Sequence, residues 1–212
     1  MLLNSSQIDG REPDAPMPQH DAPLTARGKP DHENDRTAYR FQSCATRSDI
    51  PFETANALLT AHGELMMGRL VGAGGPRVDH MLHIRGFWDH LDEFLPPNGR
   101  FYLVWNQHDQ LVATGVLRKV SDDIGELKHL HVRPAARRSG LGRALVQRRI
   151  DDARKMGLST VLADTFAANT EMPALYDRLG FSRVGPLAAS GALAISPELV
   201  DHMLFFRLDL AP

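Results

Sequence analysis

A single cysteine, Cys44, stands in 212 residues. A disulfide within the chain is therefore excluded, and so is a zinc site built on thiolates. No apolar run approaches the ~18 residues that a membrane-crossing helix needs. Positive charge is not in excess: 24 Lys and Arg face 26 Asp and Glu, a formal net charge of -2. Such a balance supplies no global field for nucleic acid or an anionic membrane, and neither is expected as a partner. Any anion site must be a local cluster. Aromatic residues are few, at 7% of the chain, and none precedes Tyr39. Residues 1–38 are also rich in proline. A stretch of this kind cannot bury enough apolar area to offset its ordering entropy, so it reads as a flexible Pro-rich N-terminal tail. Its opening Met-Leu-Leu-Asn-Ser-Ser turns acidic and Pro-rich, unlike a secretory leader, and a cytoplasmic location is expected. No repeat of 20–50 residues is present.

The remainder, residues 39–212, has the ordinary composition of one globular domain. Tyr39 to Cys44 alternates like a first strand, with Cys44 a buried thiol. Two helical patterns follow, over 49–70 and 78–94, and Pro96-Pro97-Asn98-Gly99 ends the second. Strands are predicted at 101–105, 111–120 and 126–132, joined by polar turns. A helix runs from about Gly140 to Met156, with Val146, Ile150 and Ala153 on one stripe and Gly157 behind it. A strand at 160–164, a short helix from Asn169 to Leu179, and closing strands at 181–184 and 203–210 complete the chain. The order β-α-α-β-β-β-α-β-α-β-β is an α+β layout around one mixed sheet.

The strongest local signal runs from Val132 to Arg143: a strand end, a basic loop with Gly140 and Gly142, and a helix start. Helix N-termini present unpaired N–H groups and partial positive charge, and so bind phosphate. The two glycines let a ligand approach the backbone, and Arg133, Arg137, Arg138 and Arg143 concentrate charge there. A polyanionic ligand is the functional reading; a solvated basic turn is the bland one. The Gly-Lys-Ser/Thr of a Walker loop is absent. A dinucleotide fingerprint would need a small residue where Leu145 stands.

Arg137-x-x-Gly140-x-Gly142 resembles the Q/R-x-x-G-x-G/A motif of the GNAT acetyltransferases. Asn169, Tyr176 and Gly180-Phe181 resemble that family's second signature, in the right order and about 30 residues on. The likeness is strong over 100–184. It implies a GNAT-like, mostly antiparallel mixed sheet with helices on both faces, and acetyl-CoA as donor. It further implies that the backbone of His131 and Val132 holds the pantetheine. The N–H groups of Arg138, Ser139, Gly140, Leu141, Gly142 and Arg143 would take the diphosphate, with the Arg137 side chain nearby. The strand carrying Val132 would splay from the strand at 160–164, and the thioester arm would fill the gap.

Acetyl transfer to an amine requires a neutral amine, a donor to the thioester oxygen and a hydrogen bond or proton for the departing thiolate. Glu126 lies six residues before Val132, so strict strand alternation puts both on one face, and the family spacing implies a base there. It could instead bind the substrate ammonium or be a structural carboxylate. Tyr176 is the candidate acid, although a phenol near ~10 gives its proton to a thiolate near ~8.5 only uphill, so hydrogen bonding is the safer description. Packing against Leu179 and Phe181 is the alternative. The resemblance implies that Asn169 hydrogen-bonds the pantetheine arm; a helix N-cap is the alternative, and the two roles can coexist. The oxyanion donor is expected among the N–H groups of Leu130 to Val132. His129 and His131 share a strand face, and His80, His83 and His90 lie on the second helix. No acidic or thiol partner sits at ligand spacing, so no metal is expected; the strand histidines could line the acceptor pocket or act as base. Trp88, Phe87 and Trp105 read as packing residues.

The resemblance implies an acceptor site built from residues 60–98 and 185–202, with the Gly/Ala/Ser-rich segment from Pro186 to Pro197 as lid or wall. A small amine, an amino acid, an antibiotic and a peptide N-terminus are all open, and a homodimer is one assembly such folds adopt. The competing classes are a non-catalytic acyl-CoA sensor on the same fold and a nucleotide-binding protein.

Overall fold

The computed structural model describes residues 39–210; the proline-rich segment 1–38 lies outside the described residues. The elements run β1 (Tyr39–Cys44), α1 (Phe52–Gly72), α2 (His80–Asp89), β2 (Gly99–Asn106), β3 (Leu111–Lys119), β4 (Ile124–Val132), α3 (Leu141–Lys155), β5 (Thr160–Phe166), α4 (Glu171–Arg178), β6 (Ser182–Val184), α5 (Gly191–Ile195) and β7 (Met203–Asp209). The strands form one 7-stranded sheet in the order β1-β2-β3-β4-β5-β7-β6. Only β4 and β5 pair in parallel; every other pair is antiparallel. The expected α+β class and mixed sheet are therefore found. The helix α5 was not foreseen: Gly191-Ala-Leu-Ala-Ile is too short for a period, and only the Ser190 hydroxyl, which accepts from the Leu193 N–H, marks its start.

The two faces of the sheet are covered differently. Under α3 and α4 the core is continuous: Leu117, Leu127, Val146, Ile150, Val161 and Phe206 pack together. At roughly 25 cal/mol per Å2 of apolar area, this face contributes much of the fold's stability. Under α1 and α2, Leu58, Leu59, Phe87, Leu91 and Phe101 form a second cluster near β2 and β3. A third, with Met67, Leu70, Leu199 and Phe205, lies near β7. Between those two the face is hollow. The middle of α1, at His62, Gly63 and Met66, lines that hollow rather than filling it. Cys44 is fully buried, and burial pushes its thiol up to about 12, which makes it inert.

One irregularity decides the site. Across β3 and β4, Val116 pairs with Lys128 but Thr114 pairs with His131, so β4 carries an extra residue at this point. His129 there has φ +50°. A bulge of this kind resets the alternation. Leu127 and Val132 point to the α3 side, among Val146 and Leu141, while His131 meets His62 of α1. The expectation that Glu126 shares a face with Val132 is thus corrected. Period two counts Glu126 onto the face of Val132 only without the bulge; with it, Glu126, Lys128 and His131 share the α1/α2 face.

Candidate active site

β4 and β5 pair from Ile124 with Thr160 to Leu127 with Ala163, and no further. Beyond that point the strands part. The bulge begins two residues later, at His129, so the split and the change of face nearly coincide. The loop after β4 turns through a short 3-10 turn, Pro134–Ala136, and then through two residues of positive φ, Arg138 (+64°) and Gly140 (+82°). These left-handed residues roll successive N–H groups to one side. Among the described residues, no protein acceptor lies within hydrogen-bond distance of the backbone N–H groups from Arg138 to Arg143; the first helical bond of α3 is Ala144 N–H to Gly140. A Cβ added to Gly140 would meet nothing within 4 Å, and one on Gly142 only Val132 Cγ2 at 3.8 Å. The protein does not use the space above these glycines, and a diphosphate fits that cradle.

The side chains nearby are tied to the backbone they serve. Arg137 Nε donates to the Val132 carbonyl at 3.0 Å, Arg133 Nε to Leu111 at 2.8 Å, and the Ser139 hydroxyl to Ala136 at 2.9 Å. Asn169 is buried, but it does not cap α4: Thr170 occupies the cap and makes no side-chain capping bond. The Asn169 amide donates to Thr165 and its oxygen accepts from Arg69. Arg69 of α1 also forks onto Glu171, at 2.6 and 2.8 Å. That pairing holds the Glu171 carboxyl down to about 2. Arg69 thus joins α1 to the start of α4; it reads as an ordinary last-turn helix cation in sequence.

The hollow is a cavity of about 820 Å3, reached by residues from α1, α2, β3, β4, β5, α4, α5 and β7. Its polar groups converge on the place where β4 and β5 part. Glu126 is 3% exposed and both of its oxygens are engaged. One accepts from Arg118 Nε at 2.7 Å; the other from Lys128 Nζ at 3.3 Å and from the Gly191 N–H at 3.2 Å. Arg118 continues to Glu93 and to the Ala189 carbonyl. Glu126 therefore anchors the segment before α5, which walls the cavity, as the lid-or-wall reading of Pro186–Pro197 anticipated.

Asp164 of β5 lines the same cavity. It accepts from the Ser190 hydroxyl at 2.6 Å, and among the described residues it makes no ion pair. Burial pushes its carboxyl up, against the opposing pull of Lys128. Sequence reasoning missed it. The available signal was one acid in the otherwise apolar run Thr160-Val-Leu-Ala-Asp164, since a buried charge left unpaired is costly and so rarely idle.

Tyr176 stands across the gap. Its ring packs on Phe181 and Phe206, each with centroids 4.9 Å away, and the residue also lines the cavity. The packing alternative is therefore met on Phe181, and the same residue reaches the cavity. No protein group among the described residues bonds its hydroxyl. Burial pushes the phenol up; Arg149 pulls it down, while Asp164 and Glu126 add to the rise. A phenol held this firmly donates a hydrogen bond at neutral pH and does not ionise.

Four histidines around the cavity and β4 are neutral at pH 7. His62 is held down to about 4 and His131 to about 3, chiefly by burial and then by their neighbours, among them Arg137. Their Nδ1 atoms lie 3.1 Å apart, so one donates to the other. His129 packs, half-buried, against Phe87 and Phe94 and is held well below the usual imidazole range by desolvation, and His83, lowered by burial, meets the Ser196 hydroxyl. His129 and His131 share the α1/α2 face as expected, though through the bulge.

The model of the acetyltransferase (GNAT) family matches residues 69–181, more than half of the chain. The IAA acetyltransferase of Azospirillum brasilense is 34% identical over 102 residues, 48% of this chain and 66% of that protein. The [ribosomal protein bS18]-alanine N-acetyltransferase of Escherichia coli K12 is 34% identical over 91 residues, 42% of this chain and 61% of that protein. The chain spans under two thirds of the length of these curated relatives. A solved structure of a GNAT-family acetyltransferase from Staphylococcus aureus Mu50 superposes with a TM-score of 0.64 at 16% identity, covering 82% of this chain and 100% of the other. That likeness is one of fold.

Proposed function

The chain belongs to the acetyltransferase (GNAT) family, and on that premise we propose that it transfers acetyl from acetyl-CoA to a primary amine of a small molecule or peptide, by direct attack in a ternary complex. One observation carries the proposal: the run of N–H groups from Arg138 to Arg143 without protein acceptors, at the mouth of the gap between β4 and β5.

Acetyl-CoA supplies the activated acyl group. The Arg138–Arg143 backbone takes its diphosphate, Arg137 stands by, and the backbone of His131 and Val132 with Asn169 guides the arm along the gap. Asp164, a cavity carboxylate that makes no ion pair among the described residues and lies beside the parting of β4 and β5, receives the proton that the acceptor must lose. Its raised affinity for a proton, relative to an ordinary carboxylate, suits the task. Glu126, with both oxygens engaged, is assigned to holding Arg118, Lys128 and the α5 wall. The amine nitrogen bonds to the acyl carbon and the carbon–sulfur bond breaks. A backbone N–H of β4 near Leu130 faces the charge that builds on the oxygen. Tyr176 gives the departing thiolate a hydrogen bond rather than its proton.

The cavity fits an acceptor with an apolar body. Met66, Met67, Phe166 and Leu199 line it, and Leu82 and Ile195 stand exposed where α2 and α5 meet beside it. Methionine-rich walls adapt to several shapes. The test is an amine-library screen that follows free thiol release from acetyl-CoA. Turnover with an amine supports the reading; acetyl-CoA binding without turnover of any amine would make the protein a sensor instead.

A further inference from the structure

Arg149 of α3 is the largest side chain that the fold buries completely, at 0% exposure. It lies on the same stripe as Leu145, Val146 and Ile150, where an apolar residue would be ordinary. Among the described residues no carboxylate reaches it within ion-pair distance, and its Nη2 has no hydrogen-bond partner at all. An unpaired buried cation is among the most costly things a core can hold. What it touches gives the reason. Nη1 donates to the carbonyls of Val116 at 2.9 Å and of Lys128 at 3.1 Å, and Nε donates to Leu145 at 3.1 Å. Val116 and Lys128 are the last paired residues before the β4 bulge. The residue of β3 opposite the bulge is Gly115, and a Cβ there would lie 3.1 Å from Arg149 Cζ. On the other face, Phe87 and Phe94 pin the His129 ring. The bulge, with its left-handed His129, is held from both sides.

We propose that Arg149 is a positioning residue that sets the β4 bulge: by gripping the Lys128 carbonyl it fixes the Lys128–His129 peptide, and with it the direction of the next N–H groups. A planar trans peptide points its C=O and N–H in opposite directions. Binding the carbonyl on the α3 side therefore turns the His129 N–H away from α3. A charged donor also polarises the peptide it binds. On the proposed function, these are the N–H groups that meet the thioester oxygen. The guanidinium is needed because its Nε is held on the Leu145 carbonyl while Nη1 serves both strand carbonyls, and an ammonium has no second nitrogen to be anchored in this way. The charge also acts on Tyr176, the group beside the sulfur, whose other charged neighbours are Asp164 and Glu126.

This inference rests on the proposed activity for its purpose but not for its first test. Amide hydrogen exchange on the free protein compares wild type with Arg149→Lys and Gly115→Ala, the second of which crowds the guanidinium without removing it. The expected result is exchange at His129 and Leu130 faster by at least ~10-fold in both variants, the scale of one lost hydrogen bond, with the rest of α3 still protected. With acetyl-CoA and an accepted amine, kcat should fall by at least ~10-fold while the KM for acetyl-CoA stays within about twofold. Unchanged exchange at the bulge, or a wild-type kcat in Arg149→Lys, would overturn the proposal. If the wild type turns over no amine, the acetyltransferase reading fails, and the exchange measurement still decides the role of Arg149. Should Arg149→Lys lose protection everywhere, Gly115→Ala, which keeps the arginine, carries the test alone.

Discussion

The proposed cosubstrate loop and the proposed acceptor cavity are built in opposite ways. The loop is a short contiguous stretch, from His131 to Arg143, and its working atoms are backbone N–H groups set by two left-handed residues. The cavity draws on eight separate elements, and its working atoms are side chains whose partners lie far away in sequence, as with Ser190 and Asp164 or Arg118 and Ala189. A local backbone site needs glycine and a helix start; an assembled side-chain site needs the whole fold. The first should therefore fail by losing its ligand, and the second by losing turnover.

The largest expected effect tests the loop. Gly142→Asp puts a carboxylate into an anion cradle where the Cβ itself meets only Val132 at 3.8 Å. Acetyl-CoA affinity should fall by more than ~100-fold with the melting temperature little changed, since like charges repel where the desolvated anion would sit. Unchanged affinity in calorimetry would remove the loop from the site. Asp164→Asn tests the cavity next: kcat should drop by roughly 100-fold, the scale of a lost general base, with acetyl-CoA affinity intact. Glu126→Gln should cost less than Asp164→Asn; the reverse order would restore Glu126 as the base. Tyr176→Phe should lower kcat by at least ~10-fold, as the thiolate loses one hydrogen bond. A wild-type kcat in that variant would reduce Tyr176 to a packing residue.

The smallest effect is on stability. The His62 and His131 rings sit at about 4 and about 3 in the folded protein, below the ~6.5 of an unfolded chain. As pH falls the unfolded state binds these protons first, so stability is full above about pH 6.5 and drains toward pH 3–4. His62→Asn should flatten the fall in melting temperature between pH 6.5 and 4. An identical slope in the variant would show that the pair does not set it.

The same contrast explains what could be read in advance. Gly140, Gly142 and the flanking arginines announce the loop because their meaning is local, and Tyr176 was found through its Asn169 and Gly180-Phe181 frame. The succession of elements along the chain, α5 apart, followed from period and turn residues. Glu126 was placed on the wrong face because period two assumes a regular strand, and nothing in Glu126-Leu-Lys-His-Leu-His-Val132 marks His129 as the residue that breaks it. The bulge is set from outside that segment, by Gly115, Arg149 and Phe87. Asp164 and Arg149 were passed over for a related reason: each is a charge within an apolar pattern, and only the packed fold reveals whether a partner is at hand.

The account stands or falls on what the N–H groups from Arg138 to Arg143 bind. Titrating the purified wild-type protein with acetyl-CoA in a calorimeter should give saturable one-to-one binding, with ATP and NAD far weaker. No heat with acetyl-CoA, or equal binding of all three, would contradict it.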